Sequence, residues 1–210
     1  MNNNKTKDIQ ILERIKLKNL KILRICWNYI SDIKVFENVN LNKLELLNLN
    51  YNYISDIKVL ENVNFPDLKE LYLSHNEISD IKVLENVYFP ELKILYLDHN
   101  EISDIKVLDK VNFKRLEILN LEFNNISDIK VLENVNFPEL KKLYLSHNEI
   151  SDIKVVENAK FNKLEYLDTS HNEIKEMNLS RGRGGYRMRD TLGRGRGAPR
   201  GSYGRGRGEI

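Results

Sequence analysis

The sequence predicts an α/β solenoid: a curved parallel sheet inside, short helices or 3₁₀ segments outside, and a disordered C-terminal tail. Three observations predict it. Asparagine recurs at Asn28, Asn52, Asn76, Asn100, Asn124, Asn148 and Asn172, each step being 24 residues. Around it repeats the unit L-x-x-L-x-L-x-x-N-x-I-S-D-I-K-V-L-E-N-V-N-F-P-x, which alternates like a strand and then spaces its apolar residues by three. All ten glycines fall between Gly182 and Gly208, so the chain changes character near residue 180.

Residues 1–19 precede the first unit and are read as an N-terminal cap segment, residues 20–180 as the solenoid, and residues 181–210 as the tail. Six full copies begin at Leu20, Leu44, Leu68, Leu92, Leu116 and Leu140; a seventh begins at Leu164 and decays after Ile174. In the third copy Leu71 and Leu73 alternate with Tyr72 and Ser74, the period of a strand with one buried face. Ile81, Leu84 and Val87 then lie three apart behind Ser79 and Asp80, either of which can cap a helix N-terminus. This predicts a short helix or 3₁₀ segment of about two turns, ended by Phe89-Pro90 because proline disfavours helical geometry in the residue before it. One strand and one short helix cannot bury their own apolar faces, so the units must stack. At ~4.8 Å per strand, seven strands give a sheet roughly 30 Å long.

The spacing L-x-x-L-x-L-x-x-N-x-I resembles that of leucine-rich repeat proteins over residues 20–179. The Ile-Ser-Asp-Ile run is most similar to the phosphatase-regulator and internalin types of repeat, although their units are typically shorter than 24 residues. The resemblance implies a leucine-rich-repeat solenoid that binds a protein partner on its concave sheet. It leaves a phosphatase-regulator-like adaptor and an internalin-like surface adhesin as alternative roles.

Composition narrows the function further. Without glycine before residue 182 the body has no phosphate-cradling loop, no dinucleotide fingerprint and no Gly-flanked nucleophile turn. The histidines share one repeat column and Cys26 has none in its own repeat, so a non-catalytic protein without cofactor is expected. No stretch of about 18 apolar residues is present, so no membrane-spanning helix is expected. The opening MNNNKTKDIQ lacks the apolar run of a secretory signal, and the single cysteine fits a reducing compartment, so a cytoplasmic or nuclear location is expected.

The columns of the array supply the candidate site. The fifth and seventh positions of each unit point away from the leucines and vary while the frame does not. They place Tyr72, Tyr96, Tyr144, Asp98 and Glu122 on the concave face, with the tyrosines as anchors. The eighth position reads Trp27, Tyr51, His75, His99, Phe123, His147 and His171, a column of flat rings, and all but the last are taken as contact-edge candidates. His75, His99 and Asp98 could come together around zinc, but a ring stack accounts for seven members where a metal accounts for four, and no metal site is assigned. The asparagines are read as a buried ladder satisfying backbone groups. The rows Asp32 to Asp152 and Lys34 to Lys154 are read as a solvated convex face.

The tail has separate chemistry. It holds nine arginines, seven of them followed by glycine, against Asp190 and Glu209, a net charge of +7, while the rest of the chain carries −5. It resembles the RGG/RG segments of RNA-binding proteins. Arg181, Arg183, Arg187, Arg194, Arg196, Arg200, Arg205 and Arg207, with Tyr186 and Tyr203, are the residues expected to contact RNA through phosphate neutralisation and base stacking. Thr169 interrupts the apolar column of the last unit. Its end is expected to be poorly covered unless a cap or a second copy lies against it, which makes self-association through that end a further expectation.

Overall fold

A computed structural model describes residues 3–174 and 187–188. Seven three-residue strands, β1 (Ile22–Arg24), β2 (Leu46–Asn48), β3 (Glu70–Tyr72), β4 (Ile94–Tyr96), β5 (Ile118–Asn120), β6 (Lys142–Tyr144) and β7 (Tyr166–Asp168), lie side by side in chain order. Every pair is parallel and in register at one repeat, as in Leu71 opposite Leu95. The backbone of Arg187–Met188 adds a short β8 beside β7, with Arg187 opposite Tyr166 and Met188 opposite Leu167. The solenoid expected from the period is the fold observed.

The strand is short because its leucines are needed only where the chain faces the core. Leu68, Leu71 and Leu73 are wholly buried, and Ile78, Ile81, Val83, Leu84 and Phe89 complete the same interior from the outer side. Stacking the units joins these residues into one continuous core from Ile9 to Leu167. That continuity is the physical reason a single unit cannot stand alone.

The outer segment differs from the expectation in length. Residues Lys82–Glu85 form one 3₁₀ turn, not two turns of helix, and four other copies do the same at Lys34–Glu37, Lys58–Glu61, Lys106–Asp109 and Lys130–Glu133. Among the described residues only the sixth copy closes an α-turn, Val155–Asn158. The spacing of three in Ile81 and Leu84 suits three residues per turn, and Val83 is buried beside them while Lys82 and Glu85 stay exposed. Asp80 caps the turn, accepting the N–H of Lys82 on Oδ1 at 2.9 Å.

Phe89-Pro90 therefore does not end a helix. It opens a β-turn in which the N–H of Leu92 donates to the carbonyl of Phe89 at 3.2 Å, with proline at the favoured second position. Phe113-Lys114-Arg115-Leu116 closes the same turn at 3.0 Å without proline. A buried apolar residue is the common requirement: Leu41, which closes the same turn in the first copy, and Phe65, Phe89, Phe113, Phe137 and Phe161 are all buried.

At the N-terminal end, Ile9 and Leu12 of the 3₁₀ segment Gln10–Arg14 join the core. The N–H groups of Asn4 and Thr6 donate to the Asn28 amide oxygen at 3.0 and 3.2 Å. The segment thus fills the place that a preceding repeat would occupy. Among the described residues no helix is long and apolar enough to cross a membrane.

Candidate binding surface

The asparagine column fixes where every other column points. Asn100 donates through Nδ2 to the carbonyls of Leu73 and Leu97, both at 3.0 Å, and accepts the N–H of Ile78 on Oδ1 at 3.0 Å. Each ladder member from Asn52 to Asn148 repeats this, tying its own turn to the preceding unit. The polar residues of this column serve structure, leaving the faces on either side for other work.

One of those faces is the ring column. Consecutive rings from Trp27 through Tyr51, His75, His99, Phe123 and His147 to His171 stack with centroids 3.7–4.1 Å apart. Each of the seven residues has φ between 51° and 58°. That left-handed conformation is uncommon outside glycine, and adopting it brings the rings into register one repeat above the next. Since the ring faces cover one another, the column shows mainly edges to solvent, with Trp27 at its N-terminal end 57% exposed.

His75 and His147 are held below the usual histidine pKa. For His75 the cause is first burial and then the neighbouring His99; for His147 it is first burial and then His171. The metal-ligating atoms of His75, Asp98 and His99 lie within 4.8 Å of one another. The two imidazoles, however, are stacked at 3.9 Å and 20°, so their in-plane lone pairs run nearly parallel and do not converge on one ion. Asp98 is meanwhile engaged by His99 Nδ1 at 3.1 Å and by the Ser74 hydroxyl at 2.6 Å. The cluster fits a hydrogen-bonded stack better than a metal centre.

The concave sheet carries the other candidates. Tyr72, Tyr96 and Tyr144 lie half-buried on β3, β4 and β6, and Tyr72 meets Tyr96 edge-on at 5.2 Å. Burial raises all three phenols above their ordinary pKa, helped at Tyr72 by its bond to Glu70 Oε2 at 2.7 Å, at Tyr96 by Tyr144 and Asp98, and at Tyr144 by Glu122. The seventh-position row is more closed than the alternation implies. Cys26, Ser74, Asp98 and Ser146 are buried, and the row is laced by bonds from Ser74 Oγ to Asp98 and from Ser146 Oγ to Glu122, both 2.6 Å.

Two columns were missed by the sequence reading. The third position shares the face of the fifth, and places Ile94 and Ile118 beside Tyr96, Glu70 beside Tyr72, and Tyr166 against Tyr144 at 5.0 Å. Its signal was the same two-residue alternation, read one step toward the N-terminus. The second position forms an ionic ladder along the sheet edge: Glu45 bridges Lys21 and Lys69 at 2.8 and 2.6 Å, and Glu117 bridges Lys93 and Lys141 at 3.3 and 2.7 Å. The two lysines hold Glu45 down to about 2.

Across β3 to β5 the third, fifth and seventh positions therefore present Glu70, Asp98 and Glu122 with two tyrosines and no basic side chain. Chemically this is a surface for cations and for the flat faces of guanidinium groups. Of the tail residues, Arg181, Arg183, Tyr186, Arg194, Arg196, Arg200, Tyr203, Arg205 and Arg207 lie outside the described residues, and Arg187 is described only as backbone in β8.

Comparison with known proteins places this architecture. A family model described as "Leucine rich repeat" matches residues 114–174, and one described as "Leucine Rich repeats (2 copies)" matches residues 42–86 and 90–134. Among solved structures, an internalin (InlF) from Listeria monocytogenes is 30% identical with a TM-score of 0.69, over 83% of this chain. Internalin C2 from the same organism is 26% identical with a TM-score of 0.67, over 84% of this chain. The chain spans 48% of the first and 72% of the second. A comparison with curated proteins gave no match.

Proposed function

Since the chain belongs to the leucine-rich repeat family, we propose that it is a non-catalytic scaffold that binds a protein partner on the concave face of its sheet. The observation that carries this reading is the cluster of half-buried Tyr72, Tyr96 and Tyr144 beside Asp98 and Glu122, on the side of each strand turned away from the core. Aromatic side chains that are already half desolvated and held against neighbours lose little on docking, which is the character of an interface anchor. Replacing the three tyrosines with alanine should weaken partner capture several-fold to hundreds-fold with the circular dichroism spectrum intact. Capture unchanged by the triple substitution would move the interface elsewhere.

A second activity, RNA binding by residues 181–210 in a cytoplasmic or nuclear setting, is supported by the nine arginines and two tyrosines of that segment. Affinity capture with full-length chain and with residues 1–180, each with and without ribonuclease, separates the two. Ribonuclease-sensitive partners lost on truncation belong to the tail; partners kept by 1–180 belong to the solenoid. The internalin likeness favours surface adhesion as the alternative role for the same face.

A further inference from the structure

We propose that the concave face is occupied, in the protein itself, by the Arg/Gly-rich segment that follows β8, residues 189–210. This names one occupant for the face and rests on the reading of that face as a binding surface. Three observations meet in it.

The first is charge complementarity. The repeats of β3, β4 and β5 place half-buried Glu70 and Glu122 and largely buried Asp98 on this face, and the basic residues in the third, fifth and seventh columns, Arg24 and Lys142, stand on β1 and β6 at the flanks. Residues 189–210 carry Arg189, Arg194, Arg196, Arg200, Arg205 and Arg207. An ionised carboxylate has about four acceptor sites. The Ser146 hydroxyl on Oε1 of Glu122, and the Ser74 hydroxyl and His99 imidazole on Asp98, leave acceptor capacity for a guanidinium fork.

The second is the ring geometry. Tyr72 and Tyr96 meet edge-on at 5.2 Å, and Tyr144 and Tyr166 are tilted at 5.0 Å, so neither pair is closed face to face as the stacked ring column is. A guanidinium plane laid on such a face gains a cation–π contact beside its carboxylate partner.

The third is where the chain ends. β8 pairs with β7, so Met188, the last described residue, stands at the edge of this same sheet. Twenty-two residues can extend by about 70 Å at ~3.3 Å each. The distance from β7 to β3 is only about 20 Å at ~4.8 Å per strand. A short tether makes docking intramolecular, with an effective concentration of order millimolar.

The test is limited trypsin digestion of nuclease-treated full-length protein, followed by mass spectrometry at Arg194, Arg196 and Arg200. A free synthetic peptide of residues 189–210 serves as the reference. At about 50 mM salt these sites should be cut several-fold more slowly in the protein than in the peptide, and the difference should vanish near 0.5 M salt as charges are screened. Protection should also vanish in the Asp98→Asn/Glu122→Gln variant. Should that variant melt early, Glu70→Gln/Glu122→Gln makes the same test without touching buried Asp98. Cleavage at the peptide's rate at low salt, or protection that survives the substitutions, overturns the proposal. Protection that grows with protein concentration also overturns it, in favour of exchange with a second copy. The readout needs no partner and no RNA, so it is independent of the tyrosine experiment: a null result there with salt-sensitive protection here would sink the partner site and keep the docked tail.

Discussion

Asn100 spends its amide nitrogen on the carbonyls of Leu73, Leu97 and Asp98, and its amide oxygen on the N–H of Ile78. No buried side-chain polar atom lacks a partner among the described residues. Asn100→Ala leaves carbonyls of two repeats and one N–H without that partner, at about 1–3 kcal/mol for each stranded group. Asn100→Asp restores the acceptor but no donor, so it should rescue only part of the loss in a urea melt. The histidines give a pH dependence of opposite origin. His75 and His147 have folded pKa values below the unfolded value, so the unfolded chain binds more protons and stability rises with pH. Stability should be full above the ordinary histidine pKa of ~6.5 and decline as pH falls through it. His75→Phe/His147→Phe, which keeps the rings, should flatten that part of the curve. A thermal-melt profile between about pH 5 and 8 that is unchanged by the substitutions would show that the stack does not sense protons.

Elements expose what a repeat pattern conceals. The strand leucines, the asparagine ladder and the buried isoleucines were legible because burial imposes a period that copying preserves. The Asp of Ile-Ser-Asp-Ile carries both readings made of it, a solvated column and one of two candidate caps: it is exposed, and Asp32, Asp56, Asp80, Asp104, Asp128 and Asp152 each accept the N–H two residues on at 2.8–2.9 Å. Which of serine and aspartate would cap was not set by apolar periodicity, since both are short side chains with an acceptor oxygen. The left-handed backbone of the ring column was hidden, because tyrosine and phenylalanine give no glycine-like signal for positive φ. The last unit departs from the pattern visibly. Thr169 sits in the core column at 7% exposure, Asn172 is only half-buried where its counterparts are buried, and His171 is exposed. Terminal repeats have one neighbour instead of two, so amide exchange should be faster over residues 164–174 than over the middle units. Amides there as protected as those of β3 to β5 would mean that the end is covered, and a concentration-dependent mass would identify the cover as a second copy.

At the scale of the whole molecule, charge is segregated: −5 on residues 1–180 and +7 on residues 181–210. Nine arginines spaced largely by glycine offer dispersed charge without a rigid surface to read base edges, so a single-stranded RNA should be held with little sequence preference. With about six phosphates neutralised, log affinity for single strands should fall with log salt at a slope near −4. The middle strands β3 to β5 of the acidic body present no basic side chain for phosphate on the concave face, and if that face engages the same arginines it competes for them. The isolated peptide 181–210 should therefore bind more tightly than the full chain at about 50 mM salt, and the two titrations should converge as screening shortens to below about 10 Å. Asp98→Asn/Glu122→Gln in the full chain should move its curve toward that of the peptide. The three arms are separable by fluorescence anisotropy on one unstructured oligonucleotide. A peptide that fails to bind at the lowest salt ends the RNA reading and leaves the arginines to the concave face. A full chain that binds as tightly as the peptide keeps RNA as a ligand but removes the competition that a docked tail requires.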